Sequence, residues 1–408
     1  MDELDALRGM RTALAKQESP ERLRMRAGRW AEPARRTRRA RPGFRVPLVS
    51  AVTATAVAAG ALAAVALTGD GGAPTPHAPV AGGPAVGGPV APGDALLVAA
   101  TSAENAPAGT YWHTKRISGE INGVGTKTDH YMVDSRQVLE SWTTRAGASS
   151  QRRLGPVGYP WQPADAAKWR AAGSPNRVYI PNPDADGSKT FIFMGDNERL
   201  QPMPPDDDVR FFGLTVAQIS DLPTDPGKLK DALLDLKGHW RAASPDGPER
   251  PMRELAGAER ARALSEVAGT LLSDAPTPPK IRAAAFRMLA GLPGVRAEGT
   301  AKDPTGRPGN VISLPVASTV PLGLYTAPKR LGTYRRQWII DPKRGLLLAV
   351  RDLVVTPPHG SLPLPSGDRG QHRVLRVSDV PDRFHKPGEI VDYEVYEVAE
   401  WTDRGPAN

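Results

Sequence analysis

The chain has 408 residues, of which 40% are hydrophobic and 24% charged, a composition that supports a sizeable buried core. It contains no cysteine, which excludes disulfides, thiolate nucleophiles and cysteine-ligated metal centres. Thirteen basic and six acidic side chains lie in residues 1–45, so this segment carries most of the net charge of +9. The remainder is nearly neutral, and we expect no nucleic-acid-binding surface.

Residues 1–45 are predicted to form a basic, partly helical cytoplasmic segment. Leu4, Leu7 and Leu14 recur at helical spacing, and Ser19 followed by Pro20 is typical of a helix start. Helices this short are marginal alone. Three alternatives stay open for residues 1–33: they bind a cytoplasmic protein partner, they lie on the membrane, or they form a partly disordered tail.

Residues 46–68 contain no ionisable side chain, and as a helix they would span about 30 Å, the thickness of the hydrocarbon core of a bilayer. A cleaved signal peptide and a soluble helix are the alternatives. The stretch lies far from the N-terminus and exceeds the apolar core of a signal peptide. It also lacks the polar stripe of a soluble helix. We therefore predict a single transmembrane helix.

The flanking charges predict the orientation of this helix. Six arginines precede it: Arg35, Arg36, Arg38, Arg39, Arg41 and Arg45. The next basic residue after it is Lys115. The positive-inside rule then predicts an integral plasma-membrane protein with its N-terminus inside and its C-terminal domain outside the cytoplasm. Residues 69–93, with eight glycines and six prolines, are predicted to be a disordered linker.

Residues 94–404 are predicted to form one extracytoplasmic α+β domain, with 405–408 as a tail. Apolar periodicity and end signals, such as Asp225 before Pro226, predict helices at 94–106, 225–240, 258–272 and 280–290. Alternating patterns predict strands at 110–118, 127–134, 136–145, 149–155, 190–195, 294–303, 309–316, 335–342, 345–355 and 388–403.

Two turns organise the closing strands. Asp341-Pro342-Lys343-Arg344-Gly345 joins two of them, with Gly345 free to take a positive φ, and Asp303-Pro304-Thr305-Gly306 repeats the pattern. Long strands joined by wide hairpins around helices predict a curved antiparallel β-sheet that wraps a helix.

The segments "GVRAEGTAKDPTGRPGNVISLP" and "WIIDPKRGLLLAVRD" resemble the hairpins of LolA-like and RseB-like domains. The whole layout resembles an uncharacterised, sigma-factor-linked family of actinobacterial single-pass membrane proteins. The resemblance implies a half-open antiparallel barrel with packed helices and an apolar concave face. Relatives use that fold for lipoprotein carriage or envelope-stress sensing. It assigns no role to an individual residue.

No G-x-S-x-G, S-x-x-K, H-E-x-x-H or Walker motif occurs, so we expect no catalytic, cofactor-binding or metal-binding residues. Trp112, Trp142, Trp338 and Trp401 lie in predicted strands. They are expected in the core, and on a half-barrel some of them line a ligand site. The resulting hypothesis is a non-enzymatic, membrane-anchored envelope sensor or regulator that binds lipid or peptide. A tethered lipid or lipoprotein carrier and an envelope hydrolase are the alternatives.

Overall fold

The computed structural model describes residues 92–181, 189–195, 199–238, 249–315, 317–319, 329–364 and 372–406. The chain divides into two units. The larger consists of Pro47–Leu362 and Leu375–Asn408 and holds the α-helices and the large β-sheet. The smaller consists of Met1–Val46 and Pro363–Val374, of which only 363–364 and 372–374 are described.

The described residues contain six α-helices and two 3₁₀ turns. The helices are α1 Pro92–Glu104, α2 Pro163–Ala171, α3 Val216–Ser220, α4 Pro226–Leu234, α5 Gly257–Leu272 and α6 Pro279–Ala290. The 3₁₀ turns are Met252–Glu254 and Val377–Asp379.

Eighteen β-strands lie in the described ranges. They are β1 Tyr111–Gly125, β2 His130–Thr144, β3 Ser149–Pro160, β4 Arg177–Pro181, β5 Lys189–Phe193, β6 Gln201–Pro202, β7 Arg210–Phe211, β8 Leu214–Thr215, β9 Lys237–Gly238, β10 Arg250–Pro251, β11 Arg296–Lys302, β12 Pro308–Ser313, β13 Ala317–Thr319, β14 Lys329–Asp341, β15 Leu346–Thr356, β16 Ser361–Leu364, β17 Arg373–Arg376 and β18 Ile390–Thr402.

Ten of these strands form one large antiparallel sheet. Its order is β11-β12-β14-β15-β18-β1-β2-β3-β6, with β13 also paired to β14. The first and last strands of the domain are neighbours near its centre, where Tyr111 pairs with Thr402. The chain is therefore α+β with a large antiparallel sheet, as expected. Its half-barrel form stays a prediction.

Helices α1, α4, α5 and α6 cover one face of this sheet. Their apolar sides share a single core with residues of β1, β12, β14 and β18. Leu264 and Leu271 of α5 and Phe286 of α6 are at most 2% exposed. Fully burying side chains of this size contributes about 1.5–3 kcal/mol each, so the helix layer and the sheet stabilise each other.

The predicted helices correspond to α1, α4, α5 and α6, whereas α2 and α3 were not predicted. Helices α5 and α6 match the predicted spans, and Gly291 follows the end of α6. The carboxylate of Asp225 accepts from the backbone N–H of Lys228 at 2.8 Å, which confirms the predicted cap of α4. That helix ends at Leu234, earlier than expected, because the next residues enter the short β9–β10 pair.

One pair of predicted strands is a single strand. The polar residues Ser135 and Arg136 indicated a break between 127–134 and 136–145, but β2 continues through them. Its register with β1 is unbroken from Thr144 to His130. The irregularity lies instead in the pairing with β3, between Arg136 and Val138.

The predicted single-pass membrane architecture and the predicted plasma-membrane location are wrong by the length and apolarity that a membrane-spanning helix needs. Over the described ranges, no helix is both long enough and apolar enough to cross a bilayer. The stretch 46–68, on which the prediction rested, lies outside the described residues. Residues 69–91 of the predicted linker 69–93 and the segment 1–45 with its six flanking arginines also lie outside the described residues. The last two residues of that linker, Pro92 and Gly93, instead begin α1.

Gly345 has φ +64°, as predicted for the β14–β15 turn, and lies against α1. A Cβ atom there would lie 2.4 Å from the backbone nitrogen of Ala103. Gly306 also has a positive φ, of 90°, but no atom lies within 4 Å of its Cβ position.

We expect Gly345→Ala to lower the free energy of unfolding by about 3 kcal/mol or more, because backbone strain and a backbone clash add. Gly306→Ala, the matched control, carries only the strain, about 1 kcal/mol. Urea unfolding followed by circular dichroism measures both. Equal losses would show that α1 does not constrain this turn.

Candidate functional site

Three of the four tryptophans singled out in the sequence lie in the core between sheet and helices. The fully buried Trp112 donates its indole N–H to the carbonyl oxygen of Ser273 at 3.0 Å, and Trp401 donates to that of Thr277 at 3.2 Å. Their rings meet edge to face, with centroids 5.5 Å apart. Trp338 is buried in the same cluster. These indoles connect the sheet to the segment around the end of α5.

Trp142 has a different environment. Neighbouring residues in a strand point to opposite faces, so His113 lies on the face away from Trp112. Trp142 stacks on that imidazole, with ring centroids 4.5 Å apart, and the guanidinium of Arg152 lies 5.5 Å from the indole centroid. Ligand binding by these four tryptophans stays a prediction, and the structure places them on two faces of the sheet.

Charged side chains join α5 to the helix-facing side of the sheet. Arg336 of β14 donates to both carboxylate oxygens of Asp352 of β15, at 3.0 and 2.7 Å, and also contacts Glu266 of α5. Arg116 of β1 donates to both oxygens of Asp274, at 3.1 Å. Burial raises the pKa of the Asp274 carboxyl, against the opposite effect of Arg116. The network fastens helix to sheet.

The hairpin of β4 and β5 presents apolar side chains on both faces. Its inward set is buried against Tyr131 and Val133 of β2 and comprises Val178, Ile180, Ile192 and Met194. Because side chains alternate along a strand, the residues between them point outward. We call this outward set the aromatic hairpin face; it comprises Arg177, Tyr179, Lys189, Phe191 and Phe193.

The aromatic hairpin face is open to solvent. Tyr179, Phe191 and Phe193 are 56%, 45% and 49% exposed. The rings contact one another edge to face, with centroids 5.0 Å apart for the two phenylalanines and 6.3 Å for Tyr179 and Phe191. The guanidinium of Arg177 lies 5.4 and 4.9 Å from the two phenylalanine centroids, within cation–π range.

Two cations therefore share one surface with three rings. Neither Arg177 nor Lys189 forms an ion pair with another described residue. The surface offers stacking area and positive charge, which together suit an apolar group that carries negative charge.

A second open surface borders α1. A groove of about 600 Å³ runs beside the start of this helix, and its lining includes Asp94, Val98 and Lys343. Leu97 and Val98 are 47% and 51% exposed. The lining mixes charges of both signs and brings no aromatic rings together.

Comparison with known proteins identifies no family. No protein-family model matches the chain, and no match was found among the curated proteins or the solved structures. The likeness to LolA-like and RseB-like domains therefore stays a prediction. Across the described ranges, no three side chains among histidine, aspartate and glutamate are placed to hold a metal ion.

The sequence patterns predicted β5. They predicted neither its partner strand β4 nor the exposure of the aromatic rings on the outward side of the hairpin. The signal lies in "RVYIP" and "KTFIF", where apolar residues occupy consecutive positions. A hairpin this short packs one face only, so consecutive apolar positions place one set of side chains in solvent. Between residues 156 and 210 only 190–195 was predicted as a strand, because the proline and aspartate clusters there are typical of loops.

Neighbouring positions on β5 should differ sharply in their effect on stability. Ile192 is buried and Phe191 is exposed. We expect Ile192→Ala to lower the free energy of unfolding by about 2–4 kcal/mol. Phe191→Ala should change it by about 0.5 kcal/mol or less. Urea unfolding of the two variants measures the contrast, and a large loss for Phe191→Ala would mean that the ring serves packing.

Proposed function

We propose that the protein is a non-enzymatic binding protein with a sensing or regulatory role. In this proposal the aromatic hairpin face binds a peptide segment of a protein partner that carries acidic and apolar side chains. The observation that carries the proposal is the exposed cluster of Tyr179, Phe191 and Phe193 under Arg177. Aromatic residues and arginine are enriched at protein interfaces, and tyrosine and arginine often dominate the binding energy.

The charges on the aromatic hairpin face favour an acidic partner. A carboxylate that meets Arg177 or Lys189 forms a charge-assisted hydrogen bond, and complementary charge speeds association. Arg177 is already stacked on two rings, so less side-chain entropy is lost when a partner binds. A basic segment would meet two uncompensated cations instead.

A peptide fits the described surfaces better than an acyl chain. Small apolar ligands bind preferentially in concave sites that enclose most of their surface. Between the sheet and the helices, Leu264, Phe286 and Trp338 are at most 2% exposed. Packed side chains therefore fill the helix-facing side of the sheet, which leaves no room there for an acyl chain between these residues. The hairpin face is open, as a surface for a peptide chain is.

The binding test uses the full chain and short fluorescein-labelled peptides. One peptide carries phenylalanine flanked by aspartate and glutamate, a second replaces the acidic residues with lysine, and a third replaces phenylalanine with serine. We expect the first to bind with a Kd on the order of micromolar in fluorescence anisotropy. Replacing both phenylalanines of the aromatic hairpin face, Phe191→Ser with Phe193→Ser, should weaken binding by about thirtyfold, equivalent to about 2 kcal/mol.

The matched control is Leu97→Ser with Val98→Ser, which removes apolar surface of similar exposure from α1 and should leave binding unchanged. Arg177→Glu should shift the preference towards the lysine peptide. Equal binding of the acidic and basic peptides, or an unchanged affinity in the phenylalanine variants, would contradict the proposal. If the hairpin bound anionic vesicles and none of the peptides, the ligand of this face would be a lipid and the proposed peptide would be contradicted.

A further inference from the structure

Residues Pro381–Glu389, which we call the strap, connect the Val377–Asp379 turn to β18 and lie across the end of β1. The backbone N–H of Gly123 donates to the carbonyl oxygen of Pro381 at 2.9 Å. The ring of Phe384 lies directly over Gly123, where a Cβ atom would be 2.6 Å from it. The strap therefore contacts a position on β1 that has no side chain.

The strap is also fastened to β14 and β15. The hydroxyl of Tyr334 donates to the carboxylate of Asp382 at 2.9 Å. The backbone N–H of Gly388 donates to the carbonyl oxygen of Val354 at 2.9 Å. Its two ends are thus tied to different strands of the sheet.

His385 lies at the centre of the strap and is only 3% exposed. Its Nδ1 is 3.1 Å from the carbonyl oxygen of Asp382, and its Nε2 is 3.0 Å from that of Ile390. Carbonyl oxygens only accept hydrogen bonds, and a neutral imidazole has a single N–H. Only the imidazolium ion donates at both positions, so these two contacts favour the charged ring, against the opposite effect of burial.

A second histidine faces the strap from β2. The ring of His130 stacks on Phe384, with centroids 4.4 Å apart. It interacts favourably with the carboxylates of Asp165 and Glu389, whose pKa values are raised, mainly by burial. The charged and titratable groups around the strap are Asp382, Arg383, Lys386 and Glu389 on the strap itself, His130 of β2, Tyr334 of β14, and Asp165 and Lys168 of α2.

We propose that the strap is a pH-sensitive latch, which protonated His385 holds closed on the end of β1 and which opens when this histidine loses its proton. A histidine whose charged form is favoured in the closed state stabilises that state fully below its ordinary pKa of about 6.5. The stabilisation is lost as pH rises through the higher value of the closed state. The raised carboxyl pKa values of Asp165 and Glu389 act in the same direction, since they favour closure at lower pH.

The test follows the full chain by NMR across neutral and mildly alkaline pH. We expect the ring of His385 to carry protons on both nitrogens well above pH 6.5. We also expect the exchange protection of the Gly123 and Gly388 amides, corrected for intrinsic exchange, to fall as that ring titrates. The loss should be about tenfold for each unit by which the titration midpoint exceeds the ordinary value.

His385→Gln removes the double donor and should give the low protection of the open strap throughout the neutral to mildly alkaline range, without the fall that follows the titration of His385. The matched control is His359→Gln, because His359 is exposed and only its Nδ1 contacts a carbonyl oxygen, that of Pro357. It should retain the pH dependence of the parent chain. A titration midpoint of His385 at or below the ordinary value would overturn the proposal, and this measurement needs no variant.

Discussion

The buried carbonyl groups around the end of α5 determine how the rest of the domain is arranged. The last carbonyls of a helix have no partner within it, and burial makes an unpaired one costly. Here Ser273 and Thr277 accept from Trp112 of β1 and Trp401 of β18, and the last carbonyl of the helix accepts from Arg282 of α6 at 3.4 Å. Burial lowers the pKa of Arg282 to about 10, and the negative end of α5 offsets part of that penalty.

These hydrogen bonds connect the first and last strands of the domain, β1 and β18, to the helix layer. The aromatic hairpin face and the strap lie at the other end of β1. Trp112 is the second residue of the strand and Gly123 lies near its end, about 36 Å away at the usual rise per residue. At that end, Tyr131 and Val133 support the aromatic hairpin on one face of the β1–β2 pair. Gly123 supports the strap on the other. The β1–β2 pair thus carries both the aromatic hairpin face and the strap.

Local signals made much of the fold predictable. Helix ends followed from short-range chemistry, such as Asp225 before Pro226, and the β14–β15 turn followed from the conformational freedom of Gly345. The pairing of β1 with β18 could not be predicted, because it depends on contacts between residues almost the whole domain apart. The aromatic hairpin face was missed for a related reason. Alternation shows that Phe191 and Ile192 point to opposite faces, but only the packing on Tyr131 decides which face is buried.

Stability does not account for the outer side of that hairpin. The four inward residues already hold it to β2, and polar β-formers such as threonine would suit the outward positions equally well. Exposed aromatic residues on a short hairpin favour association with other chains. Arg177 and Lys189 restrict that association, because their charge repels basic surfaces and attracts acidic ones. In the proposed function, rings and cations on one face therefore select a partner by charge as well as by apolar contact.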